Sequence, residues 1–224
     1  MVKKKELASL KGKKIVQQLK AIFWDFDGTL YDTYPEMTAS LLQAAESFNI
    51  SLDYQQVFRH LRQTSVHQTF DFLFKEKPSL KQQVWTTYRK LEKQRSLSAK
   101  PMPGVAAVCQ LLFQQGKQQF LLTHRDASAW KLLKNDGLEN FFAGGVTAEM
   151  KFARKPDPAS LNFLCHKYMV DPTASVMIGD RPLDIVAGQR AGMQGWLFAP
   201  DKLISFTAYD LKFRSYQELD QLFS

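Results

Sequence analysis

The chain has 224 residues, 45% of them hydrophobic and 12% aromatic, and a net charge of +8. This length and composition exclude a disordered or fibrous polypeptide and suit one large domain, or a domain with an insertion, around a substantial core. No apolar run approaches the ~20 residues that cross a bilayer, so membrane insertion is not expected.

Residues 1–20 hold seven lysines against Glu6, so +6 of the charge lies there and +2 remains for the rest. The basicity therefore reads as an N-terminal extension, residues 1–20. It has no apolar segment of the secretory kind. Nucleic acid is not an expected partner, because basic and aromatic residues do not interleave as they do where bases stack.

"AIFW" (21–24) is a short apolar run that suits a buried strand. From Pro35 the pattern becomes helical, with Met37, Leu41, Leu42, Ala45 and Phe48 at helical spacing. Helix-like text continues to about Lys100, with breaks expected at Thr64–His67 and at Pro78-Ser79. "KPMPG" (100–104) then punctuates. A helix is expected in "VAAVCQLLFQQG", a strand in "QFLLT" (119–123), and a helix in "DASAWKLLKNDG" with Asp126 as N-cap and Gly137 as stop. "GGVTA" reads as a strand, "DPASLNFLCHKYMV" as a helix, "ASVMIGD" as a strand, "PLDIVAGQRAG" as a helix and "GWLFA" as a strand. A last helix is expected over Ser215–Phe223. Cys109 and Cys165 lie in helix-like apolar text and read as buried, reduced thiols, which fits a cytoplasmic setting.

Strands alternating with helices predict an α/β fold with a doubly wound parallel sheet. Residues 21–33 and 101–224 would form that core. Residues 34–100 would be a small all-helical cap inserted after the first strand.

In such sheets the carboxyl ends of the strands form the ligand crevice. Asp25 and Asp27 end the first strand, Thr123 ends the second, and Asp180 ends a later one with Asp184 just inside the next helix. Lys155 lies in the loop "RKPDP". Clustered carboxylates repel one another unless some take up protons or a cation joins them. A hard divalent cation such as Mg²⁺ prefers oxygen ligands and leaves room for phosphate. Lys155 and Thr123 suit an anion opposite that metal, and Gly28 lets the backbone approach it closely.

"DFDGTLYD", a Thr ending a strand, "KPDP" and "GDRPLD", in this order, resemble the four motifs of the haloacid dehalogenase-like hydrolase superfamily. The likeness covers essentially residues 21–200, and the cap placement is similar to the phosphoglycolate-phosphatase-like branch. The resemblance implies a Mg²⁺-dependent phosphatase acting on a small phosphorylated metabolite. Asp25 would be the nucleophile that forms an aspartyl-phosphate, and Asp27 the general acid and base. Asp25, the Asp27 backbone carbonyl and Asp180 would hold the metal, supported by Asp184. Thr123 and Lys155 would bind the phosphoryl group. His124 is a further phosphate-binding candidate whose ordinary titration range would make activity pH-sensitive. Arg125, Ser65 and His67 are candidates for substrate specificity, and Asp32 is expected to stay outside the chemistry.

Two alternatives stand beside this reading. A phosphosugar mutase of the β-phosphoglucomutase type would carry a His where Met37 stands and a cap arginine near Val66; both are absent. A non-catalytic phosphate-binding regulatory protein would not need the intact set of Asp25, Asp27, Lys155 and Asp180. A monomer or weak dimer is expected.

Overall fold

The computed structural model describes residues 16–224; most of the basic extension, residues 1–15, lies outside the described residues. The chain divides into two compact units. One comprises the described residues up to Leu30 together with Pro101–Ser224, and the other is Tyr31–Lys100.

The larger unit is built on a six-stranded parallel sheet. Its strands are β1 (Ala21–Trp24), β4 (Gln118–Leu122), β5 (Gly144–Val146), β6 (Ser175–Gly179), β7 (Gln194–Phe198) and β8 (Leu211–Phe213), in the order β5-β4-β1-β6-β7-β8. All four residues of β1 are buried. A strand covered on both faces reads as a continuous apolar run, which "AIFW" is. Ala21 pairs with Gln118 on one side and with Ser175 on the other, so β1 sits inside the sheet.

Alternate residues of β1 serve opposite faces. Ala21 and Phe23 join the core formed with α7 (Ala159–Tyr168) and α8 (Pro182–Arg190), where Phe23 stacks on Phe120 at 4.8 Å between ring centroids. Trp24 meets Tyr216 of α9 (Tyr216–Phe223), which packs with α5 (Val105–Gln114). Helices thus cover both faces, the doubly wound arrangement read from the sequence. One polar side chain inside this unit, Gln119, accepts from the Trp24 indole at 3.1 Å and donates to the carbonyl of Cys109 at 2.8 Å. A buried amide left unpaired would cost about 1–3 kcal/mol, so these bonds decide whether Gln119 is tolerated there. Cys109 and Cys165 are free and buried, as expected.

Val16 and Leu19 are also buried, and their carbonyls accept bonds from the Lys117 ammonium. Folded chain therefore begins before Ala21. The helix expected over residues 126–137 runs Ser128–Asn135 as α6, with Ala127 at the N-cap position. Asp126 instead folds back on the Ser128 N–H at 3.0 Å, an Asx turn just outside the helix.

The smaller unit is helical, with α1 (Tyr34–Glu46), α2 (Tyr54–Gln63), α3 (Val66–Leu73) and α4 (Pro78–Arg95). One break falls at Thr64-Ser65, within the expected Thr64–His67, another at 74–77, directly before Pro78 rather than on it, and a further one at 47–53 separates α1 from α2. Leu41, Val57, Phe70 and Val84 share its core. Two-residue strands β2 (Tyr31–Asp32) and β3 (Lys100–Pro101) pair separately. No helix among the described residues is long and apolar enough to cross a membrane.

Candidate active site

The site forms where β1 ends. The Asp25 N–H still donates to the Ile178 carbonyl at 2.9 Å, so the ladder with β6 holds Asp25 in line. The chain then turns sharply. Gly28 has φ +79°, a conformation that other residues adopt only at a cost, and Thr29 N–H closes the turn on the Phe26 carbonyl at 3.2 Å. The turn brings the Thr29 hydroxyl back to Asp25 Oδ2 at 3.3 Å. Tyr216 donates its hydroxyl to the Thr29 carbonyl at 2.9 Å, so the last helix braces the same turn.

Asp25, Asp180 and Asp184 converge. All three are buried, and one oxygen from each lies within 4.8 Å of the others. Lys155 enters the cluster from the loop before α7. Its ammonium lies 2.5 Å from Asp25 Oδ1 and 2.6 Å from Asp184 Oδ1, and it donates to the Leu122 carbonyl at 3.2 Å. Asp184 occupies the first turn of α8 and accepts the Arg181 N–H on Oδ2 at 3.1 Å. Gly179 is needed beside it, since a Cβ there would stand 2.2 Å from the Asp184 Cβ.

The electrostatics are unbalanced. Burial, and then the Asp184 charge, push the Asp25 carboxyl up to about 7 despite the Lys155 ammonium. Burial also works against the charge of Lys155, but Asp184 and Asp25 outweigh it and hold the ammonium above the usual lysine range. Three buried carboxylates still outnumber the two cations beside them, the Lys155 ammonium and the Arg181 guanidinium, whose Nε lies 3.9 Å from Asp180 Oδ1. Such an all-oxygen, electron-rich cluster fits a hard divalent cation, which would take the place of the missing positive charge.

Thr123 follows β4, and its N–H pairs with the Val146 carbonyl at 3.0 Å. Its hydroxyl oxygen accepts the Arg125 N–H at 3.0 Å, which leaves the hydroxyl hydrogen as a donor. His124 departs from the sequence expectation. Its Nε2 accepts the Lys155 N–H at 3.0 Å, which requires a neutral ring carrying its proton on Nδ1. Burial, and next the Lys155 charge, push the imidazole down to about 2. The lowered value and the accepted bond both favour a ring that stays neutral, and His124 steadies the Lys155 loop.

Arg125 bonds to Asp27 Oδ1 twice, from Nε at 2.9 Å and from Nη2 at 2.7 Å. The expectation of a specificity contact had not foreseen this pairing. Ser65 and His67 belong to the helical unit. Ser65 caps α3 in a reciprocal capping box with Gln68, and His67 stacks on Trp85 at 4.5 Å. Asp32 is exposed and is not one of the clustered carboxylates. Thr29 and Tyr216 are contributors that sequence reasoning missed. Thr29 lies inside the first motif, whereas nothing near Tyr216 points to the site.

A family model described as haloacid dehalogenase-like hydrolase matches residues 22–197. A phosphoglycolate phosphatase of Vibrio vulnificus is 24% identical over 79% of this chain and 82% of its own length. The pyrophosphatase PpaX of Bacillus pumilus is 28% identical over 78% of this chain and 80% of its own. Among solved structures, a hydrolase from Streptococcus pneumoniae superimposes with TM-score 0.63 at 28% identity, over 81% of this chain and 94% of that one.

Proposed function

The chain belongs to the haloacid dehalogenase-like hydrolase family, and from that premise we propose that it is a Mg²⁺-dependent phosphatase of a small phosphorylated metabolite. The observation that carries the reading is the buried cluster of Asp25, Asp180 and Asp184 around the Lys155 ammonium at the end of β1. The relatives named phosphoglycolate phosphatase and pyrophosphatase support the reaction class.

Asp25, Asp180 and the Asp27 carbonyl would hold the metal, and Asp184 would support it. When bound, a divalent cation lowers the cost of gathering these carboxylates and draws charge from the phosphoryl oxygens. Lys155 and the Thr123 hydroxyl hold the phosphoryl group, and Lys155 also fixes the rotamer of Asp25. One Asp25 oxygen attacks phosphorus while the ester P–O bond breaks, giving an aspartyl-phosphate. Asp27 gives its proton to the departing oxygen. The Asp27 carboxylate then takes a proton from water as that water attacks phosphorus, and the bond to Asp25 breaks to release phosphate. A reducing cytoplasmic setting and a monomer or weak dimer complete the proposal.

A panel of phosphorylated metabolites and one aryl phosphate, assayed with Mg²⁺ and with a chelator, tests it. Phosphate release that needs the metal is the expected result. No release from any compound would refute the assignment.

A further inference from the structure

Arg125 is held on every side. Its N–H donates to Thr123 Oγ1 at 3.0 Å and its carbonyl accepts the Ala148 N–H at 2.9 Å. Its guanidinium lies 5.9 Å from the centre of the Phe26 ring, and its side chain is only 8% exposed. The chain thus fixes the backbone of Arg125 and stacks its head on the residue between the two motif acids. Both of its bonds to Asp27 fall on one oxygen, Oδ1. A carboxyl held by such a rigid fork cannot rotate without breaking a charge-assisted bond.

We propose that Arg125 is a positioning residue for Asp27: by anchoring Oδ1 it fixes the rotamer in which this carboxyl meets the leaving oxygen of the substrate. This rests on the reading of Asp27 as the general acid. It assigns Arg125 to proton transfer rather than to substrate selection. Arg125 touches neither phosphorus nor the leaving group; it acts by removing rotational freedom from the side chain that does. Orientation of this kind carries a large share of the advantage of an enzymic acid over one in solution.

The test exploits the dependence on the leaving group. An alkyl phosphate releases a poor leaving group that needs the proton, whereas 2,4-dinitrophenyl phosphate releases one that does not. Both are measured with wild type, Arg125→Ala and Arg125→Lys, saturated with Mg²⁺. For Arg125→Ala, kcat/KM on the alkyl ester, which reports the step that expels the leaving group and not the later hydrolysis of the aspartyl-phosphate, should fall by about 10- to 100-fold, part of the ~100- to 10,000-fold that a placed acid supplies. On the dinitrophenyl ester it should fall by less than about threefold. Arg125→Lys should recover part of the alkyl activity, since it keeps the charge but not the fork. An equal fall in kcat/KM on both esters overturns the proposal. Because the two esters are compared on one preparation, a loss of folded protein cancels from the ratio. If wild type hydrolyses neither ester, the phosphatase reading itself fails; if it hydrolyses both and the ratio stays put, only the role of Arg125 fails.

Discussion

Replacing Asp25 by Asn should abolish turnover and, in metal-free protein, raise stability. The carboxyl of Asp25 is pushed from 3.8 up to about 7, chiefly by burial and by the Asp184 charge. Its side chain is 3% exposed, so solvent hardly screens the effect. A rise of about three units corresponds to about 4 kcal/mol at roughly 1.4 kcal/mol per unit, an upper figure because Asn forfeits part of the bond to Lys155. The sign follows from linkage. A carboxyl whose folded value is raised favours the folded state at low pH, and that contribution is lost as pH climbs from about 4 to about 7. Asn has no such loss, so the gap between variant and wild type should open across this window. Thermal melts in chelator at about pH 8 should place Asp25→Asn up to about 16 °C above wild type, given 2–4 °C per kcal/mol for a chain of this size. At about pH 4 the two should melt together. Saturating Mg²⁺ should narrow the gap at the higher pH by stabilising wild type. A variant no more stable than wild type in chelator, or a gap independent of pH, would refute the account of an overcharged cluster.

Gly179→Ala should destabilise the protein by about 1–3 kcal/mol, because its Cβ would overlap Asp184 and something must shift. Activity should drop in the protein that still folds, and an unchanged melt together with unchanged kcat would contradict the contact. His124 should stay neutral across the physiological range, its folded value lying near 2. Because that value is lowered, its contribution is present above the unfolded value of 6.5 and is lost only as the solution is acidified below it. Imidazole NMR should therefore show no titration of His124 between about pH 5 and 8, and a resonance moving through that window and assigned by His124→Gln would overturn the reading.

The parts of this molecule legible in the sequence are those written in contiguous text. "AIFW" announces a strand by being apolar throughout, and the carboxylates are conspicuous because each follows a strand. β2, β3 and β8 left no signature, being too short for any period to repeat, although the equally short β5 was legible in "GGVTA". Lys212, in the middle of β8, breaks the apolar run further. The pairings of His124 and Arg125 were not legible for a different reason. Each depends on a partner brought close by folding, 31 residues away for the Lys155 N–H and 98 for Asp27. Tyr216 reaches Thr29 across 187 residues. A side chain whose task is to hold another one carries no local mark of it.

The position of β1 also bears on how the protein is made. This apolar strand leaves the ribosome before the segments that flank it, Gln118–Leu121 and Ser175–Ile178, are translated. Until both emerge, "AIFW" has two bare edges and two bare faces, the condition in which nascent chains recruit holding chaperones or stick to one another. Helices of the Tyr31–Lys100 unit make mostly local contacts and can form in that interval. β1 is thus made before both of its partners and enclosed only after them, so a growing chain that stalls short of Gly179 has no assembled site.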